Sequence, residues 1–256
     1  MNQLPIINPS QEEEKIASFI RGVLREQNIK KVIIGMSGGV DSTTVFYLLK
    51  NSIEPENIFV AHLHYFDSLL ETIRPSLEQA NIPETNIYNL SITNIVDQFK
   101  KIAIISNENK VRLGNIMARV RMTILYDLAK KNHMLVSGTE DKSEFLLGYF
   151  TRFGDEASDM EVIRNLYKTQ VYRLAKYLGV PESITNQKPS SGLWLGHTAE
   201  DELGFSYQEA DTVLYLYYDK KLTVEEIKKM NLPNAEKIID FSLKNNFKHK
   251  VPYLIG

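Results

Sequence analysis

A small polar turn between an apolar run and a helical pattern is the feature that most constrains the fold of this chain. The apolar run covers residues 31–35, the turn contains the adjacent pair Gly38-Gly39, and apolar residues recur through residues 44–49. Two adjacent glycines allow backbone N–H groups to point inward at the start of a helix, whose dipole favours an anion. The pattern predicts a strand, a phosphate-binding loop and a helix, and it indicates an enzyme that uses ATP.

The turn also carries hydroxyl groups and one carboxylate. Ser37, Ser42 and Thr43 add donors for phosphate, but Asp41 stands where the common mononucleotide-binding loop has its lysine. Because a carboxylate would repel phosphate, we expect a Mg²⁺ ion between Asp41 and the phosphate oxygens. The alternative is an ordinary strand-to-helix turn in which Asp41 or Ser42 caps the helix, which explains one polar residue rather than the whole string.

Strand and helix patterns alternate through the first 140 or so residues of the chain. We expect strands at residues 31–36, 57–63, 86–90 and 134–137. We expect helices at residues 10–27, with Ser10 and Glu13 forming a capping box, and at residues 42–50, 68–80 and 114–131. The alternation predicts an α/β fold with a mainly parallel central sheet and helices on both faces, whose ligand lies at the carboxyl ends of the strands.

The pattern changes beyond Gly148. One amphipathic helix is predicted at residues 167–178, a loop rich in Ser, Gly and Thr at 188–201, and three short helices after it. The short helices are expected at residues 207–217, 223–230 and 234–246. These segments predict extra C-terminal helices attached to a single domain that covers residues 1–256.

Composition excludes several classes of protein. The chain has 256 residues, is 43% hydrophobic and has a net charge of −2, so it can bury one core and offers no electrostatic surface for nucleic acid. No apolar run could span a membrane and the N-terminus is unlike a secretory signal, so we expect a cytoplasmic protein. The chain has no cysteine, which excludes disulfides, Cys-ligated zinc and a glutaminase with a Cys nucleophile.

The string Ser37-Gly38-Gly39-Val40-Asp41-Ser42 resembles the signature of the N-type ATP pyrophosphatases, which release pyrophosphate from ATP. Seven later strings, in sequence order, resemble the ammonia-dependent NAD synthetases of that superfamily. They lie within residues 114–122, 137–144, 148–159, 166–171, 188–194, 202–204 and 249–250. The resemblance implies an adenine nucleotide alpha hydrolase-like fold, without a glutaminase domain, that amidates deamido-NAD (nicotinic acid adenine dinucleotide) with ammonia. ATP would adenylate the carboxylate, and AMP and pyrophosphate would be released.

The same resemblance implies roles for individual residues. The residues expected to bind ATP are Gly35, Met36, Ser37, Gly38, Gly39, Val40, Asp41, Ser42, Thr139, Lys168 and Ser190. Asp41 and Glu144 are expected to hold Mg²⁺, and Asp41 and Lys168 to act in catalysis. The residues expected to bind deamido-NAD are Arg119, Arg152, Asp159, His249 and Lys250. Arg119 and Arg121 do not share a helix face, so Arg121 is expected to be a structural ion-pair partner.

The chain also departs from the family pattern at five positions. They are His64, Asp141, Arg152, His197 and Ala199, of which Asp141 stands where Asn is usual. We expect none of them to touch the pyrophosphate loop or the two metal-binding acids, so activity should be retained.

Three functional questions stay open at this point. Another ligase of the superfamily, similar to GMP synthetase or tRNA-lysidine synthetase, and a non-catalytic ATP-binding module are the alternatives. The family resemblance implies a homodimer in which part of the helix at residues 114–131 is intermolecular. His62 and His64 share a strand face and form a possible metal pair, although polar packing is the simpler interpretation.

Overall fold

A computed structural model describes residues 4–66, 70–106, 108–189, 198–250 and 252–255. Its centre is one five-stranded parallel sheet with the strand order β3-β2-β1-β4-β5. The strands are β1 (Lys31–Gly35), β2 (Ile58–His64), β3 (Ile87–Ser91), β4 (Met134–Gly138) and β5 (Met160–Glu161). The predicted parallel sheet is confirmed, and the structure adds β5 as a short edge strand.

The helices cover both faces of this sheet and continue beyond it. Those of the first half are α1 (Pro9–Glu26), α2 (Val40–Lys50), α3 (Arg74–Gln79), α4 (Thr93–Ile102), α5 (Lys110–Asn132) and α6 (Lys142–Leu147). Those of the second half are α7 (Lys168–Leu178), α8 (Glu182–Thr185), α9 (Ala199–Leu203), α10 (Tyr207–Leu214), α11 (Val224–Lys228) and α12 (Ala235–Asn245). A turn of π-helix at Tyr215–Asp219 extends α10.

Alternate residues of the strands enter two different cores, as the period of two in a strand requires. Val32 and Ile34 of β1 pack with α1, α2, α3 and α7 on one face. Ile33 between them packs with α4 and α5 on the other face. Because β1 is buried on both faces, its sequence is a continuous apolar run rather than an alternating one.

The C-terminal helices have a core of their own. Residues from α9, α10, α11 and α12 bury one another's apolar faces, and Leu147 of α6 and Tyr167 join the same cluster. Ser242 of α12 donates a 2.5 Å hydrogen bond to the Leu146 carbonyl, and Lys248 donates to the carbonyls of Gly148 and Phe150. The predicted extra helices are therefore confirmed as a layer that holds the turn after α6.

Element boundaries differ from the predictions where local chemistry decided them. Helix α1 begins at Pro9 because Asn8 is its N-cap and accepts from the Gln11 N–H, so the predicted capping box at Ser10 is wrong. The helix predicted at 68–80 is much shorter, since α3 starts at Arg74 after a 3-10 turn at Leu70–Thr72. Helix α4 was not predicted.

The strand order places a switch point between β1 and β4. From β1 the chain continues to β2, toward one edge of the sheet, and from β4 it continues to β5, toward the other edge. This divergence opens a crevice at the carboxyl ends of β1 and β4. The glycine turn after β1 and the segment Thr139–Glu144 after β4 both lie there.

Gly148 tests how tightly the C-terminal layer is packed on α6. It caps α6 with φ +63°, and an added Cβ would lie 2.6 Å from the Asn245 Cβ. Gly179 caps α7 with φ +79°, but an added Cβ there meets nothing within 4 Å. We expect Gly179→Ala to lower the free energy of unfolding by about 1 kcal/mol and Gly148→Ala by about 3 kcal/mol, as measured by urea denaturation. Equal losses for the two variants would contradict close packing at Gly148.

Candidate active site at the switch point

The turn after β1 is built as an open loop at the start of α2. Gly38 has φ +87°, a conformation that a residue with Cβ rarely adopts, and Gly39 is the N-cap of α2. The Ser37 and Ser42 hydroxyls lie 3.1 Å apart, and Ser37 Oγ accepts from the Gly39 N–H at 3.2 Å. Neither Asp41 nor Ser42 is the cap of α2, so the capping alternative does not describe this turn.

A buried lysine joins the turn to the segment after β4. Lys168, the first residue of α7, is 1% exposed. Its Nζ donates to Asp41 Oδ2 at 2.7 Å and to Glu144 Oε1 at 2.8 Å, and it lies 2.8 Å from Asp141 Oδ2. The structure therefore brings together Asp41, Glu144 and Lys168, three of the residues predicted from the sequence, and adds Asp141 to them.

The contact made by Asp141 corrects one expectation. This residue was expected to lie away from the pyrophosphate loop and the metal-binding acids, but it is fully buried beside both. Asp141 is the N-cap of α6: its Oδ1 accepts from the Glu144 N–H at 2.9 Å, and Glu144 Oε2 accepts from the Asp141 N–H at 3.3 Å. This capping box fixes the direction of both carboxylates.

Burial and like charges shift the protonation of this cluster. Burial raises the pKa of Asp141 to about 7, helped by Asp41 and opposed by Lys168. Burial raises the pKa of Glu144 as well, again against the effect of Lys168. Burial alone would lower the pKa of Lys168, but Asp141, Asp41 and Glu144 outweigh it and raise that pKa well above its usual value. The ammonium group therefore stays charged.

The cluster suits a hard divalent cation. Asp41, Asp141 and Glu144 each offer a carboxylate oxygen, and these oxygens all lie within 4.8 Å of one another. Within the described residues, Asp41 Oδ1 and Asp141 Oδ2 are buried without a hydrogen-bond partner. Oxygen ligands around Mg²⁺ or Ca²⁺ lie about 2.0–2.6 Å from the ion, so opposite ligands are about 4–5 Å apart. The residues that are present fit Mg²⁺.

Asp211 on α10 supports the cluster from behind and has no counterpart among the predicted residues. Its carboxylate accepts from the Thr169 N–H at 2.8 Å, from Thr169 Oγ1 at 2.7 Å and from Ser143 Oγ at 2.5 Å. Ser143 Oγ in turn accepts from the Lys168 N–H at 2.9 Å. The buried carboxylate thus ties the start of α7 to α6, and the face of the Tyr207 ring lies 5.0 Å from the Lys168 ammonium.

Three of the residues expected to bind the dinucleotide form hydrogen bonds with the backbone. Arg119 Nε donates to the Arg152 carbonyl at 3.3 Å, so these two are neighbours. Asp159 accepts from the Val136 N–H at 2.7 Å at the junction of β4 and β5. His249 is the last residue of the 3-10 turn Asn246–His249 after α12, and its Nε2 lies 2.6 Å from the carbonyl of Phe145 on α6.

Five further residues were singled out in the sequence. Lys250 is exposed and Thr139 is half-buried at the carboxyl end of β4. Ser190 and His197 lie outside the described residues. Arg121 Nε donates to the Leu63 carbonyl at 2.8 Å, and the charge of Asp155 also acts on its guanidinium group.

His62 has the packing role that was the simpler of its two interpretations. Its Nδ1 lies 2.9 Å from the Met36 carbonyl, so it contacts the glycine turn, and its ring stacks on that of His64 at 5.8 Å. Ala199 is the first residue of α9 and is buried in the C-terminal core.

A second acidic pair lies beside the site. Arg164 Nη2 contacts Glu140 Oε2 at 2.6 Å and Glu161 Oε1 at 3.3 Å, and Glu161 Oε2 accepts from the Glu140 N–H. The Glu161 carboxylate covers Gly138 so closely that a side chain there would overlap it. No sequence motif had indicated this cluster, because its three members come from separate segments.

The fold and site define a nucleotide-binding α/β protein with a pyrophosphatase-type loop, and comparison with known proteins specifies it further. The chain belongs to the NAD synthase family, whose model matches residues 12–252. It is 41% identical to a protein of Thermococcus sibiricus over 241 residues, which are 93% of this chain and 94% of the relative. A protein of Pyrococcus furiosus is 40% identical, over 95% of this chain and 94% of its own length. Both relatives are named NH(3)-dependent NAD(+) synthetase.

Two solved structures have the same fold over nearly the whole chain. An NMN synthetase from Francisella tularensis has a TM-score of 0.82 and 30% identity, covering 98% of this chain and 99% of its own. An NH3-dependent NAD synthetase from Campylobacter jejuni, bound to nitrate, has a TM-score of 0.79 and 29% identity, covering 98% and 100%. In the described part of the chain, no helix is long and apolar enough to cross a membrane.

Glu140 provides a test of the charge balance beside the site. Burial raises its pKa to about 9 from 4.5, against the effect of Arg164, so the folded state holds a proton that the unfolded state has lost. The free energy of unfolding should therefore fall as the pH rises from about 4.5 to about 9. We expect Glu140→Gln to raise the free energy of unfolding by about 2 kcal/mol near pH 8 and to change it little near pH 5.

The measurement is urea denaturation at both pH values. The matched control is Glu78→Gln, which removes the same charge from an exposed position on α3. A Glu140→Gln protein that is less stable than the native chain near pH 8 would show that the Glu140–Arg164 ion pair outweighs burial.

Proposed function

We propose that this chain amidates deamido-NAD with ammonia to form NAD⁺, using ATP and releasing AMP and pyrophosphate. The convergence of Asp41, Glu144 and Lys168 beside the glycine turn carries this proposal. Membership of the NAD synthase family and the names of the relatives in Thermococcus and Pyrococcus support the choice of substrate. Other ligases of the superfamily and a purely ATP-binding module lack this support.

In the first step, a nicotinate carboxylate oxygen attacks the α-phosphorus of ATP and pyrophosphate leaves. The backbone N–H groups around Gly38 and Gly39 and the Ser37 and Ser42 hydroxyls hold the departing phosphates, and the Lys168 ammonium balances their charge. Asp41 and Glu144 would hold Mg²⁺, which would supply further neutralisation of the phosphate oxygens.

In the second step, ammonia attacks the carboxyl carbon of the adenylate and AMP leaves with the electron pair of the C–O bond. The nitrogen loses a proton and becomes the amide. No protein nucleophile is needed, which agrees with a chain that has no cysteine.

The proposed substrate contacts follow from charge. Arg119, Arg152, His249 and Lys250 supply cationic or donor groups for a ligand that carries a pyrophosphate and a carboxylate. Asp159 suits ribose hydroxyls or the pyridinium ring. Thr139, at the carboxyl end of β4, and Ser190 complete the proposed ATP contacts.

The direct test is to incubate the purified protein with ATP, Mg²⁺, ammonium and deamido-NAD, and to measure NAD⁺, AMP and pyrophosphate by chromatography. Equal amounts of the three products are expected. A parallel reaction contains nicotinic acid mononucleotide, because the Francisella tularensis neighbour is named an NMN synthetase. Faster turnover of the mononucleotide would reassign the substrate, and no AMP with either would refute the amidation.

Removing either side of the central ion pair should stop turnover without unfolding the protein. We expect Asp41→Asn and Lys168→Met to lower kcat about a hundredfold or more, because the first removes a carboxylate that would hold Mg²⁺ and the second removes the ammonium group that balances the charge of the departing phosphates. The measurement is steady-state AMP release, with circular dichroism to verify folding. The control is Lys15→Met, which removes an exposed ammonium group on α1. A kcat within a few-fold of the native value would exclude these roles.

We also propose that the chain is a cytoplasmic homodimer. Five exposed apolar side chains on and after α4 support an intermolecular face: Ile95, Phe99, Ile102, Ile104 and Val111. Ile95, Phe99 and Ile102 recur at helical spacing on one face of α4. Light scattering after size exclusion should give twice the chain mass. Ile102→Glu with Ile104→Glu should give monomer, whereas Tyr177→Glu at another exposed apolar position should not.

A further inference from the structure

The cluster around Lys168 contains more negative than positive charge. The single Lys168 ammonium faces three carboxylates, those of Asp41, Asp141 and Glu144. None of the four side chains is more than 22% exposed. With every acid ionised, the excess is two negative charges, the difference between three and one. Buried charge without a counter-ion is costly, so this arrangement suits the entry of one divalent cation.

Only one of the two carboxylate oxygens of Asp141 takes part in the cap of α6. Its Oδ1 is committed to the cap of α6, where it accepts from the Glu144 N–H. Its Oδ2 is fully buried, has no hydrogen-bond partner within the described residues, and points at the cluster, 2.8 Å from Lys168 Nζ. Asp41 Oδ1 is likewise buried without a hydrogen-bond partner. Asp141 Oδ2 therefore has the Lys168 ammonium as its ion-pair partner but accepts no hydrogen bond from the described residues, and it belongs to a group of carboxylate oxygens that lie within 4.8 Å of one another.

We propose that Asp141 is a third carboxylate ligand of the cation site and that the site binds a divalent cation before any nucleotide arrives. The proposal deepens the proposed function, since Asp41 and Glu144 alone were expected to hold Mg²⁺ together with the phosphates of ATP. A third carboxylate supplies a ligand from the protein where a two-acid site depends on the nucleotide.

The position of Lys168 gives the proposal a second consequence. Its ammonium group contacts the same three carboxylates that would bind the cation, at 2.7–2.8 Å. Two cations cannot both occupy the centre of the cluster, so the divalent cation and the ammonium group compete. Entry of the cation weakens the hold of the carboxylates on Lys168 and frees its ammonium group for the phosphates of ATP.

The experiment measures Mn²⁺ binding to the full chain without nucleotide, by the loss of the free Mn²⁺ EPR signal at about pH 8, above the ordinary pKa of carboxylates. The native chain should bind one Mn²⁺. Asp141→Asn should weaken binding at least about tenfold, since it removes one charge while Asn still caps α6. Lys168→Met should tighten binding about tenfold, although it abolishes turnover, because it removes the competing charge.

Two further variants serve as a replacement for Asp141→Asn and as a control. Asp141→Ser also keeps an N-cap and loses the second oxygen, so it replaces Asp141→Asn if that protein does not fold. Asp240→Asn removes an exposed carboxylate on α12 and should leave Mn²⁺ binding unchanged. Mn²⁺ should also raise the melting temperature of the native chain more than that of Asp141→Asn.

The outcomes separate this proposal from the proposed function. Native protein that makes NAD⁺ but binds no Mn²⁺ without ATP would overturn the proposal alone. Equal Mn²⁺ affinity in the native and Asp141→Asn proteins would also overturn it, and so would a Lys168→Met protein that binds Mn²⁺ more weakly. Tight binding that depends on Asp141, in a protein that forms no NAD⁺, would leave the cation site standing and overturn the proposed function.

Discussion

The contact of one lysine ammonium with three carboxylates organises the functional half of this molecule. Asp41 lies in the first turn of α2, Asp141 and Glu144 begin α6, and Lys168 begins α7. Three helix N-termini therefore meet at one point. The helix dipoles stabilise the acids at these positions and oppose the lysine. Lys168 remains at the start of α7 because the carboxylates outweigh both the dipole and burial, as the raised pKa of its ammonium shows.

Such a cluster contributes little to the free energy of unfolding. Removing charges from water costs several kcal/mol per ion, and a buried ion pair often only recovers this cost. Asp211 adds to this cost, because it is another buried carboxylate. It holds Thr169 and Ser143 beside the cluster around Lys168. The C-terminal helices, which supply Asp211 and Tyr207, thus act as the wall that keeps Lys168 among the acids. Their packing serves the site as well as the core.

The sequence predicted the parallel sheet and the glycine turn because these depend on local pattern. The shared site of Asp41 and Glu144, which lie in distant segments, was expected from the family resemblance. An apolar run followed by two glycines fixes a strand and a loop within one short segment. Lys168 was expected at the same site only through resemblance to a family, since a lysine on an amphipathic helix is usually solvated, and the structure places it beside Asp41 and Glu144. Its direct contact with the carboxylates was not foreseen.

The parts that the sequence did not predict depend on contacts between distant segments. Asp141 was expected not to touch the site. Its side chain caps α6 and thereby faces Lys168, and a linear motif does not show such a contact between distant segments. Glu140, Glu161 and Arg164 meet only because β5 pairs with β4, and β5 is two residues long. The late start of the helix predicted at 68–80 has a similar cause, since Ile73 and Leu77 are buried in the core and Ile73 lies against Gly38.

The two halves of the proposed site differ in what holds their side chains. On the proposed ATP side, the Lys168 ammonium contacts the carboxylates of Asp41 and Glu144. On the proposed dinucleotide side, Arg119 and His249 are each held by a backbone carbonyl. This asymmetry agrees with a site whose phosphate-binding centre is preorganised by charge. A backbone carbonyl can orient a cation without neutralising it, which leaves the charge of Arg119 available to an anionic ligand.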